Sequence, residues 1–207
     1  PKTSSAASDV YKRQLLNIGA KEFKQAGAQS VATTSVTVLN TPPQFTTGPF
    51  ETPESSTTTP TNAGTNVTWT AVGTDPSSDD YFLLICDGET ASPTANNGAP
   101  PVCGAGDNLW AVSATTTSGS LATAATTTTE AFAEENDWFA WVCDFVAINP
   151  RCNQLAQQGT GSTSSPFNVN HAPTFTGYWD DSPVDPGSTV TFYATTTDTD
   201  TSGCLLY

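Results

Sequence analysis

Cysteines, clustered acids and scattered aromatics are the residues of this 207-residue chain whose types and spacing could do chemistry. Cys86 and Cys103 bracket a Gly/Pro/Asn-rich stretch, and Cys143 and Cys152 bracket a shorter one. Four cysteines allow three pairings. Cys86 with Cys103 and Cys143 with Cys152 is the favoured set, because each bond would staple a loop to the end of its own strand. The rival set joins Cys86 to Cys143 across neighbouring strands. Zinc is the other use of four thiolates. The spacings lack the close CxxC pairs of structural zinc sites, however, and the sole histidine, His171, lies in a linker. Disulfides imply an oxidising, extracellular or cell-surface setting.

Asp75, Asp79 and Asp80 follow one strand-like segment, and Asp198, Asp200 and Ser202 occupy the matching place after another. Oxygens alternating on a tight turn can converge on Ca²⁺, with Glu134, Glu135 and Asp137 as candidates to reach the same end. The plainer alternative is that Asp, Ser and Pro simply build turns there. A glycosidase would need two carboxylates facing each other across a cleft, which Glu134 with Asp137 or Asp144, close together along the chain, does not provide. One histidine leaves no Ser-His-Asp set, and no phosphate-cradling glycine loop or nucleophile elbow is present. The expectation is a non-catalytic protein with no cofactor, calcium being the possible exception.

Trp110, Trp138, Trp141, Tyr178 and Trp179 could stack on sugar rings, although alternation along strands favours core burial for most of them. Tyr178 and Trp179 are adjacent, so one must point outward, and they are the ligand-stacking candidates. Thr runs at 57–59, 126–129 and 195–197 could accept O-linked glycans or form ordinary strand edges.

The elements that must position these groups are strands. Thr supplies 37 residues, Met is absent and helix formers are sparse, a composition of short β-branched strands joined by turns. A net charge of −14 repels phosphate backbones and excludes nucleic acid as a partner. No apolar run approaches the roughly 20 residues of a membrane span.

An internal repeat organises the chain. Asn40, Pro43, Phe45 and Thr46 recur as Asn170, Pro173, Phe175 and Thr176, 130 residues on. Gly64, Val67, Thr68, Trp69, Ala71, Thr74 and Asp75 are answered by Gly187, Val190, Thr191, Phe192, Ala194, Thr197 and Asp198, 123 residues on. The first copy therefore carries seven extra residues between its blocks, with 56–61 the natural place for them. Two ordered blocks at nearly one spacing mark a piece of a tandem array, an architecture that binds, spaces or stiffens.

Expected strands of the complete unit, 40–169, are 44–50, 66–73, 81–86, 109–114, 120–129, 137–146 and 164–169. Seven short strands in this length predict a two-sheet sandwich with Greek-key connections. The run Asp137, Trp138, Phe139, Ala140, Trp141, Val142, Cys143 resembles strand F of an immunoglobulin fold, with Trp141 at the place of the corner tyrosine. Trp69 stands where that family has its other cysteine, which implies that Trp69 and Trp141 fill the core together. Glu22, Phe23, Ala26 and Gly27 resemble the last hairpin of a bacterial immunoglobulin-like domain, making 15–39 the tail of a preceding unit. Residues 170–203 are read as the first strands of a following one. Residues 1–14 resemble translated sequencing-adapter read-through, and 204–207 resemble its counterpart. As a whole the chain is similar to tandem immunoglobulin-like, PKD-like and cadherin-like arrays of microbial cell-surface proteins. That resemblance implies a structural spacer or adhesive module, with neighbouring repeats and a cell-surface glycan or protein as partners. The alternative is a carbohydrate-binding accessory domain of a secreted enzyme.

Overall fold

A computed structural model describes residues 40–200, so the expectations for 1–39 and 201–207 lie outside the described residues. In chain order the strands are β1 (Gln44–Glu51), β2 (Thr61–Asn62), β3 (Asn66–Thr74), β4 (Tyr81–Cys86), β5 (Thr94–Asn96), β6 (Ala99–Val102) and β7 (Leu109–Val112). They continue as β8 (Leu121–Thr127), β9 (Glu135–Asn136), β10 (Phe139–Asp144), β11 (Phe167–Asn170), β12 (Thr174–Asp180) and β13 (Phe192–Thr197). The fold is all-β, and a single 3-10 turn at Gly161–Thr163 is the only helical element among the described residues.

Two antiparallel three-stranded sheets, ordered β1-β3-β8 and β10-β4-β7, face each other. Successive side chains on a strand point to opposite faces. Val67, Trp69 and Ala71 of β3, with Ala122 and Ala124 of β8, therefore meet Leu83 and Ile85 of β4 and Ala140 and Val142 of β10 in one core. Trp69 lies edge-on to Trp138 at 6.1 Å and to Phe167 at 5.6 Å. Each fully buried ring of this size contributes roughly 1.5–3 kcal/mol by leaving water.

Trp138, not Trp141, is the core partner of Trp69. Trp138, Ala140 and Val142 share one face of the segment, so Trp141 must share the other with Phe139 and Cys143. Cross-sheet closure is the work of Tyr81 rather than of Trp141. The Tyr81 hydroxyl accepts the Gly73 amide at 2.9 Å and donates to the Ser120 carbonyl at 2.7 Å, tying β4 to the opposite sheet.

β4 is buried on both faces because a second layer covers the outside of its sheet. Leu84, Cys86, Trp141 and Cys143 form an outer cluster, roofed by Ala95, Cys103, Cys152 and Ala156. The β5–β6 hairpin forms where a loop was expected, since Pro100 and Pro101 disguise the second strand.

β12 and β13 reproduce β1 and β3. The pairs Gln44↔Thr74, Phe45↔Gly73 and Thr47↔Val72 have the counterparts Thr174↔Thr197, Phe175↔Thr196 and Gly177↔Thr195, with a register shift at the same step. β1 has a further irregularity between Thr47 and Phe50 that β12 lacks. One of the seven extra residues is absorbed there, and the rest lengthen the connection to β3.

Candidate functional site

The cysteines pair as Cys86–Cys103 and Cys143–Cys152. Both bonds lie on the outer face of the β10-β4-β7 sheet, where each ties a loop to its own strand. The Asp87 carboxylate closes the neck of the first loop by accepting the Asn108 amide and Nδ2 at 2.5 and 2.6 Å. In the second, the segment after Pro150 runs along β10: Asp144 N donates to Arg151 O and Gln157 N to Ala140 O, while Asn153 Oδ1 accepts the Val142 amide at 2.8 Å. An open groove of mixed polarity, lined by Ser92, Pro93, Thr94, Pro150, Arg151 and Gln154, lies between the two loops.

In the acidic turns the carboxylates of Asp75 and Asp198 bond to their own backbone. Asp75 is buried, and its Oδ1 accepts the amides of Ser77 at 2.6 Å and Asp79 at 3.3 Å. Asp198 Oδ1 accepts the Asp200 amide at 3.2 Å, the same turn in the second copy. Side chains of this kind cap their own backbone two residues on. Asp80 uses its backbone carbonyl, which accepts the Phe145 amide. Among the described residues no group of three His, Cys, Asp or Glu side chains is placed to hold a metal ion. Glu134, Glu135 and Asp137 do not reach the Asp75 end: Phe139 pairs with Cys86 and Asp144 with Tyr81, so the antiparallel register sends 134–137 to the far end of the sandwich.

Of the aromatic candidates, both Tyr178 and Trp179 are exposed. Strand alternation would hide one of them only if a second sheet covered the hairpin. Trp179 stacks on Tyr193 with centroids 5.4 Å apart and planes 10° apart, while Tyr178 shares the opposite face with Phe192. Trp110 is partly buried against Phe132 and Phe167, and its Nε1 donates to Asp137 O.

Two titratable groups matter that spacing does not reveal. Glu51 is buried and accepts Trp138 Nε1 at 2.7 Å and the Ser55 amide at 2.9 Å. Burial raises its pKa from 4.5 to about 7, against the lowering effect of those two hydrogen bonds. His171, read as a linker residue, is buried as a clasp. Its Nδ1 meets Asp200 Oδ1 at 2.5 Å, its Nε2 meets Phe132 O at 3.1 Å, and its amide donates to Asp200 Oδ2 at 2.7 Å. Acceptors at both ring nitrogens favour the doubly protonated ring. The Asp200 hydrogen bond, foremost, raises the His171 pKa above 6.5, with the charges of Asp200 and Glu130 adding to it.

Fold and site together define an all-β sandwich with a disulfide-stapled outer layer, followed by a hairpin whose register matches that of β1 and β3. No family model, curated protein or solved structure matches the chain.

Proposed function

We propose that this chain is a non-catalytic extracellular repeat module, a structural spacer or adhesive domain of a cell-surface protein, similar in kind to tandem immunoglobulin-like arrays. The observation that carries this reading is the second hairpin. Immediately after one complete unit, β12 and β13 begin another with the register and the turn of the first. Repetition at short spacing serves reach and multivalency rather than the assembly of one catalytic cleft. The two disulfides support an oxidising location, because such bonds persist outside the reducing cytosol.

Small-angle X-ray scattering of one, two and three joined copies of residues 40–169 tests the spacer role. The maximum dimension is expected to grow by a constant increment per copy. Collapse into a compact particle, or turnover of a polysaccharide by the chain, would overturn the reading. The exposed Trp179–Tyr193 stack favours a second reading, the carbohydrate-binding accessory domain. Saturable binding of a soluble polysaccharide that is lost in Trp179→Ala would replace the first reading with this one.

A further inference from the structure

We propose that the β12–β13 hairpin is a strand-accepting surface, and that its occupant is the set of strands equivalent to β8, β4 and β10 from a further copy of this same repeat. The inference rests on the array reading and adds to it which face and edge are used, and in what register.

The two copies show what is missing. Val190, Phe192 and Ala194 correspond to Val67, Trp69 and Ala71, at offsets that the hairpin register independently reproduces. In the complete unit Trp69 is 0 % exposed, under Trp138 and Phe167, whereas Phe192 is 79 % exposed. Phe175, the counterpart of Phe45, and Tyr178 lie on that same open face. An apolar sheet face of this kind is stable only when a second layer covers it.

The free edge makes the same point. β3 is the middle strand of its sheet, hydrogen-bonded to β1 on one side and β8 on the other. β13, its counterpart, pairs among the described residues with β12 alone. An unpaired edge offers a row of backbone donors and acceptors to an incoming strand. Transferring the β3–β8 register places an alanine-alternating strand such as Leu121–Thr127 antiparallel to β13. Positions equivalent to Ala124 and Ala122 then fall opposite Phe192 and Ala194. Small residues at those places leave room for the aromatic side chain and for the second sheet beyond it.

Charge disfavours a second copy of the hairpin as occupant. Asp180, Asp181 and Asp185 all sit on it, in a chain of net charge −14. Like charges brought face to face oppose self-association.

The test appends residues 78–169 directly after Asp200 of the chain, so that Ser78 follows the turn of Asp198 and Asp200 and the His171 clasp is kept. Thr196→Gly is included, because Thr196 replaces Gly73, where an added Cβ would lie 2.8 Å from the Tyr81 ring. The expected result is a second cooperative melting transition, with hydrogen exchange of β13 amides slowed at least 100-fold. Phe192→Asp should abolish that transition and leave the first unchanged. As a second measurement, a peptide of the Ser120–Thr128 sequence is added at millimolar concentration to the unextended chain. It should slow β13 exchange, and a scrambled peptide should not. Absence of both effects overturns the proposal. So does an unextended chain that sediments as a dimer and becomes monomeric with Phe192→Asp, since a second copy would then be the occupant. Scattering from joined copies of 40–169 contains neither β12 nor β13, so the spacer reading stands or falls separately.

Discussion

Glu51 holds its buried carboxyl group between the Trp138 indole and the Ser55 amide. The unfolded chain loses this proton near pH 4.5 and the folded chain near 7, so the folded state binds more protons between those values. Stability is therefore full below pH 4.5 and falls as pH rises through 7. In Glu51→Gln that slope should vanish. At pH 8 the variant should exceed the parent by about 1–3 kcal/mol in urea titration, the upper bound following from 1.36 kcal/mol per pKa unit. A parent whose stability is flat from pH 4.5 to 8 would contradict this account. Gly73 carries a second prediction. Its missing side chain leaves room for the Tyr81 ring, so Gly73→Ala should cost about 1–3 kcal/mol by overpacking, read as a lower melting temperature. Neither residue is legible in sequence, because Glu51 reads as a polar strand end and its partner Trp138 lies 87 positions away.

The strands themselves were legible wherever alternation or an apolar run marked them, as in β3, β4 and β8, and so was the local cysteine pairing. What escaped was the outer layer. Period-two alternation says that Trp138 and Trp141 point opposite ways, but it does not say which face is the core when both are covered. The acidic turns belong to this scale as well. Asp75 already spends Oδ1 on two amides of its own turn, so melting in millimolar Ca²⁺ should coincide with melting in chelator. Asp75→Ala should lower both curves equally, by about 1 kcal/mol for the lost turn bonds. A site with a dissociation constant near 10⁻⁴ M would instead add about 1.4 kcal/mol at millimolar Ca²⁺, a shift of a few degrees. Such a rise, abolished by Asp75→Asn, would establish a calcium site.

At the scale of the whole molecule two sequence blocks keep their order and spacing, and the β1–β3 and β12–β13 hairpins that contain them share a register. The clasp between unit and hairpin was not readable, since His171 meets Phe132 and Asp200 only after the chain has folded. A raised histidine pKa means that the clasp's stability is fully present below pH 6.5 and is lost as pH rises through the folded value. The His171 ring resonances should titrate above 6.5, fall back toward it in Asp200→Asn, and be accompanied by faster proteolysis at 170–174 as pH increases. The placement of the disulfides has a mechanical consequence. Both close within one sheet and neither bolts the two sheets together, so tension applied to the chain ends meets no covalent resistance to peeling the sandwich open. What the bonds lock away is length. With separations of 17 and 9 residues, they should shorten the contour released per unit in an optical trap by roughly 90 Å, at about 3.5 Å per residue, and adding a reductant should restore it.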